Sequence, residues 1–246
     1  MKKRLTVLLT TMLMLCSCVC PLFVFAVDTD APEFDIENGV LVRYNGADSD
    51  VEIPDGVTAI GEYAFYDKKV QRVSLPDSVT KIGDSAFSRS TLTDINFPEG
   101  LQSIGNGAFQ NTWITEANIP YGVTEIPSAV FFNSRLTKVT IPDTVTQIGE
   151  SAFGNTPLQN VDIPDSITYA ASSSFSGTPF LRSLIETNGG WLILSNGLLV
   201  VYAGDNINVV IPDSVKRIGT KSFTLRSRMQ SLTIPDTVKA LKNLYL

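Results

Sequence analysis

The sequence predicts a β-dominated repeat solenoid, and three observations carry that expectation. Prolines stand at 54, 76, 98, 120, 142 and 164, each 22 residues from the last, and again at 212 and 235, 23 apart. The segments around them are near copies: IPDGVTAIGEYAF from Ile53, LPDSVTKIGDSAF from Leu75, IPDTVTQIGESAF from Ile141 and IPDSVKRIGTKSF from Ile211. Within each copy the apolar residues hold the same positions. A fixed period in the range of about 20–50 residues marks units that bury their apolar faces only against their neighbours.

The chain opens with Lys2, Lys3 and Arg4, followed by an apolar run that ends at Val24-Phe25-Ala26. This is the layout of a secretory signal peptide over residues 1–26. A retained anchor and a lipoprotein acylated at Cys18 are the alternatives. Cleavage would remove Cys16, Cys18 and Cys20, which are all the cysteines in a chain that has no histidine. It would also take the net charge from −6 to −9, since the segment carries only those three charges. No disulfide framework, thiolate nucleophile, imidazole base or zinc site of the usual ligands is then available. An acidic surface argues against nucleic acid as a partner. No cofactor is expected, and no membrane span after signal cleavage.

Residues 27–50 form the next element. Asn38-Gly39 lies between two alternating apolar runs, a strong hairpin signal, and predicts a capping hairpin over Phe34 to Tyr44. The repeats proper run over 51–179. Before each proline, sets such as Leu136, Val139, Ile141 alternate with polar residues and read as a strand. Proline ends the strand, because it offers no ladder hydrogen bond. The Asp after it is expected to cap its own turn. The glycines at 61, 83, 105, 149 and 219 predict a tight bend on the opposite wall, and the recurring Phe a core spine. The spacing breaks over 180–208. There Trp191 to Tyr202 parallels the first hairpin, with Asn196-Gly197 matching Asn38-Gly39, and Pro179 to Glu186 predicts a short helix. Repeats resume over 209–246, the last one truncated and leaving Leu241, Leu244 and Leu246 uncovered.

Repeats of the form LxxVxIPDxVTxIGxxAF resemble the BspA-like, treponemal-type branch of leucine-rich repeat proteins, from about Val51 to Leu246. The pattern departs from more familiar leucine-rich repeats in its proline and in the lack of an asparagine ladder. The resemblance implies a right-handed horseshoe with a parallel sheet on its concave face. It implies secreted or cell-surface bacterial proteins, several of them adhesins or binders of host proteins, and no catalytic residues.

The candidate site follows from strand alternation. If residues three and one before each proline point inward, those four and two before it point out. The outer row is Asp50, Arg72, Asp94, Glu116, Lys138 and Asn160; the inner row is Glu52, Ser74, Asn96, Asn118, Thr140 and Asp162. Arg72, Asp94, Glu116, Lys138, Asn160, Asn96, Asn118 and Thr140 are the candidate ligand contacts, with Trp191 and Tyr202 as a secondary site. The expected function is non-catalytic binding of an extracellular protein, such as a host matrix or surface protein, through this sheet. A passive spacer, a binder of cell-wall glycan and a carboxylate-based hydrolase remain as alternatives.

Overall fold

Each 22-residue repeat makes one coil, and most coils lend short strands to two separate rows. The computed structural model describes residues 32–219, 222–223 and 228–241. The expected signal peptide, Leu244 and Leu246 lie outside them. In chain order the strands are β1 (Phe34–Glu37), β2 (Val40–Tyr44), β3 (Asp50–Glu52), β4 (Ala59–Ile60), β5 (Arg72–Ser74), β6 (Lys81–Ile82) and β7 (Asp94–Asn96). They continue with β8 (Ser103–Ile104), β9 (Glu116–Asn118), β10 (Glu125–Ile126), β11 (Lys138–Thr140), β12 (Gln147–Ile148) and β13 (Tyr169–Ala170). Helix α1 (Pro179–Asn188) then precedes β14 (Trp191–Ile193), β15 (Leu198–Tyr202), β16 (Asn208–Val210), β17 (Arg217–Ile218), β18 (Ser231–Thr233) and β19 (Ala240–Leu241).

The three-residue strands before the prolines form the first row, in parallel and in register with the repeat. β3, β5 and β7 pair so that Arg72 stands between Asp50 and Asp94, and β9 pairs with β11 so that Glu116 stands beside Lys138. The two-residue strands of the Ile-Gly segment form the second row, also parallel: Ile60, Ile82 and Ile104 lie side by side, as do Ile126, Ile148 and Ala170.

This second row replaces the bend expected at the glycines. None of Gly61, Gly83, Gly105, Gly149 or Gly219 has positive φ. They are needed because adjacent coils touch there. A Cβ on Gly83 would lie 2.7 Å from the backbone nitrogen of Glu62, and one on Gly105 only 2.4 Å from that of Asp84. The left-handed positions fall instead in the turns around the phenylalanine, at Tyr63, Ser85, Ala129 and Ser151, and again at Asp67, Arg89, Asn111, Asn133 and Asn155. Asn and Asp tolerate that conformation better than bulkier residues do.

Phe65, Phe87, Phe109, Phe131, Phe153 and Phe175 are buried to 2 % exposure or less and stack in sequence. Ring centroids are 4.9 Å apart from Phe65 to Phe87 and 6.1 Å apart from Phe131 to Phe153. A buried hydroxyl three residues on donates to the spine's carbonyls: Ser90 to Phe87 at 2.7 Å, Thr112 to Phe109 at 2.8 Å and Thr156 to Phe153 at 2.7 Å. This satisfies groups that would otherwise be buried unpaired. Ser134 holds the same place, yet its Oγ is buried with no partner.

The proline turns also differ from expectation. They close through the backbone, Val79 N–H donating to Pro76 O at 3.0 Å and Val145 N–H to Pro142 O at 3.2 Å. Asp55, Asp77 and Asp143 stand exposed and do not cap these turns. The hydroxyl beside the Asp bridges coils instead, Ser78 Oγ donating to Val57 O at 2.7 Å and Ser166 Oγ to Val145 O at 2.6 Å. Polar side chains also bridge successive coils, through mixed Asp, Asn and Ser contacts. Asn133 Nδ2 donates to Asn111 Oδ1 at 2.6 Å, while Asp84 Oδ1 accepts from the Asn106 N–H at 2.8 Å and Asn106 Oδ1 from the Ser128 N–H at 3.1 Å.

Both hairpins are present: β1 runs antiparallel to β2, and β14 to β15. The two are near copies in three dimensions. Tyr44 Oη accepts the Asp48 N–H at 3.1 Å, and Tyr202 Oη accepts the Asn206 N–H at 3.3 Å. Burial raises the Tyr44 phenol above its ordinary pKa, the largest of several contributions. Burial of the outer face separates them. Val42 is 38 % exposed, whereas its counterpart Val200 is 1 % exposed. Arg43 is exposed where Val201 is buried. The first hairpin turns a partly polar face outward. The second is a shared wall. Its Leu192, Leu194, Leu198, Val200 and Val201 join the main core, while Leu199 and Tyr202 join a separate core with Val209, Ile211 and Phe223. Helix α1 leads into it, extending two residues past the expected Glu186. Thr178 ends the hydroxyl series and caps this helix, donating to Phe175 O and accepting the Leu181 N–H at 3.1 Å.

Candidate functional site

The first row presents most of the expected contacts as exposed side chains on short parallel strands. Inward Val73 and Val139 are buried, which forces Arg72, Ser74, Lys138 and Thr140 outward. Arg72 NH1 lies 3.2 Å from Asp50 Oδ1, and its Nε 3.4 Å from Asp94 Oδ2. Lys138 Nζ lies 4.0 Å from Glu116 Oε2. Thr140 Oγ1 donates to Asn118 Oδ1 at 2.9 Å. These side chains are well exposed, 63 % for Arg72 and 69 % for Lys138. Exposed pairs of this kind are worth about 0.2–1 kcal/mol each, so the row contributes little to the fold.

The row is not the continuous six-strand ladder that the spacing implies. β7 does not pair with β9, and residues 160–162 are not in a strand. Asp94 and Asn96 therefore end one segment, and Glu116, Asn118, Lys138 and Thr140 form another. Asn160 is exposed beyond the second, in irregular backbone. The secondary site fails at Tyr202, whose ring is fully buried. Trp191 is half-buried against it, with centroids 4.2 Å apart. Both rings pack the second core.

Among the described residues no group of three or more His, Cys, Asp or Glu side chains could hold a metal ion. No described helix is long and apolar enough to cross a membrane. Asp165, one of the repeated acids, is engaged by the Ser195 hydroxyl of the second hairpin, and Asn196 Nδ2 donates to Asp165 O at 2.9 Å.

The sequence reading did not find the surface of the second row. A depression of about 710 Å³ opens there, spanning coils from Val40 to Pro127. Its side chains include Lys81, Asp84, Ser103 and Glu125. The available signal was the polar residue that recurs before Ile82, Ile104, Ile126 and Ile148, at 81, 103, 125 and 147.

A family model described as "BspA type Leucine rich repeat region" matches in six copies over residues 45–135, 124–189 and 202–245. Solved structures with a similar fold include a leucine-rich repeat protein from Eubacterium ventriosum, 23 % identical with a TM-score of 0.55, covering 83 % of this chain and 55 % of that one. The pneumococcal vaccine antigen PcpA is 21 % identical with a TM-score of 0.56, covering 81 % of this chain and 58 % of its own. A leucine rich cell surface protein from Faecalibacterium prausnitzii is 22 % identical with a TM-score of 0.49, covering 87 % and 79 %. The chain thus spans a little over half the length of the first two of these proteins. No curated protein matches it.

Proposed function

Since the chain belongs to the BspA-type leucine-rich repeat family, we propose that it is a non-catalytic binding module exported to the bacterial surface, which holds an extracellular protein against its first strand row. The observation that carries this reading is the placement of Arg72 between Asp50 and Asp94, and of Lys138 beside Glu116, as exposed side chains on fixed strands. A rigid scaffold presents such groups without the entropy cost of ordering a loop. Export is supported by the basic start and apolar run before Ala26. The absence of histidine from the chain, and of cysteine beyond Cys20, favours recognition over nucleophilic or metal-assisted chemistry.

The test is surface plasmon resonance of the chain from Val27 onward against extracellular-matrix proteins and cell-wall glycans. Saturable binding to a protein supports the reading. Binding confined to glycans overturns the choice of partner. One observation favours a passive spacer: the cations of the row are already matched within it, Arg72 by two carboxylates and Lys138 by one. A chain that binds nothing on either panel would support that second reading.

A further inference from the structure

The depression on the second row has the dimensions of a recognition groove. Its volume of about 710 Å³ falls within the range of about 300–1,000 Å³ common for ligand sites. The residues that line it include Glu62, Lys81, Asp84, Gln102, Asn106 and Glu125. Ile60 and Ile82 are buried in the core, so the groove's partly exposed apolar lining comes from residues such as Val40 and Ala59 beside its charged side chains. No aromatic residue lines it, so a sugar ring finds no stacking platform. Three carboxylates face one ammonium, that of Lys81. The backbone groups of β4 and β6 are engaged by neighbouring strands, whereas β8 and β10, which also line the groove, do not pair with each other.

The spacing selects the shape of the occupant. Neighbouring strands of a row lie about 4.8 Å apart, so the three coil steps from Glu62 to Glu125 cover about 14 Å. An extended chain rises about 3.3 Å per residue, and four or five of its residues fill that length. We propose that this groove receives an extended segment of a partner protein bearing lysine or arginine side chains, laid across the second strand row. The site is separate from the Arg72 row and does not rest on it. Asp84 already spends one oxygen on the Asn106 N–H, which holds its carboxylate in place and leaves the other oxygen for a cation.

The experiment uses a short fluorescein-labelled peptide of alternating lysine and serine, and fluorescence anisotropy at low and physiological salt. The variant Glu62→Gln, Asp84→Asn, Glu125→Gln removes the three groove charges and keeps the Asn106 acceptor. A control, Asp55→Asn, Asp77→Asn, Asp143→Asn, removes as many exposed charges outside both the groove and the first row. The groove variant is expected to bind at least about tenfold more weakly, and the control within about twofold of the wild type. Equal losses in both would show attraction to net charge alone, and no loss in the groove variant would place the peptide elsewhere; either overturns the proposal. So would displacement of the peptide by a neutral cell-wall oligosaccharide. If the groove variant has a lowered urea midpoint, the exposed single change Glu125→Gln replaces it, with a loss of about threefold expected and no loss overturning the assignment.

Discussion

Phe87 and Phe109 stack with ring centroids 5.4 Å apart and planes inclined by 9°, though a whole repeat separates them in the chain. The contact repeats along the spine, so the regular spacing of these rings in sequence becomes a stack of rings from coil to coil. The fold is therefore a chain of nearest-neighbour contacts, and local changes have local and calculable consequences.

Removing a spine ring leaves a cavity that both neighbouring coils line. Phe109→Ala should cost about 3–5 kcal/mol in urea-induced unfolding, and Phe109→Leu considerably less, since it keeps most of the volume. A cost below about 1 kcal/mol for the alanine variant would mean that the ring is not part of the core.

Glycines at the coil contact should respond differently from glycines in open turns. Gly105→Ala drives a methyl to 2.4 Å from the Asp84 nitrogen, which forces a backbone shift and should cost about 1–3 kcal/mol. At Gly100 the added Cβ meets only Asp77 O, at 3.5 Å, so Gly100→Ala should be neutral or stabilising by up to about 1 kcal/mol through the unfolded state. Thermal melts of the two variants side by side measure the contrast.

The buried hydroxyls make a second pair. Ser90→Ala deletes the donor to Phe87 O and should lose about 0.5–1.5 kcal/mol. Ser134 Oγ is buried without a partner, so Ser134→Ala should lose nothing and can gain stability. Urea midpoints check both, with equal losses as the contrary result.

The two hairpins test the distinction between cap and shared wall. Leu198 is buried at 3 % exposure in the main core, and Leu198→Ala should cost about 2–5 kcal/mol. Its counterpart Val40 is only half-buried, and Val40→Ala should cost less than about 1.5 kcal/mol. Hydrogen exchange of residues 191–218 should rise in the first variant and stay unchanged in the second.

Much of this was legible in the sequence. The 22-residue step, the strand before every repeat proline except Pro164, the Phe spine and both Asn-Gly hairpins all announce themselves through period and turn chemistry. What escaped reading lies between coils. Strands of two residues, such as Ala59–Ile60, are too short to show alternation. The Ile-Gly pair looks like a bend, because sequence cannot tell a glycine chosen for its φ from one chosen for a neighbour's approach. Polar residues such as Asp84 and Ser78 satisfy groups a full repeat away, and the spacing does not say which atom each one reaches. The site was legible only as alternation. The pairing of Arg72 with Asp50 and Asp94 followed from register, but the break between Asn96 and Glu116 did not. Tyr202 looked available because its partner core, around Val209 and Phe223, forms only after the chain has turned back.

The central claim is that the repeated segment is a wall and that its exposed first row does the binding. The most direct measurement reverses three charges on that row, Arg72→Glu, Glu116→Lys and Lys138→Glu, and measures affinity for the partner identified by surface plasmon resonance. The account predicts an unchanged circular dichroism spectrum and urea midpoint, with affinity weakened at least about tenfold. A folded triple variant that binds as tightly as the wild type would contradict it.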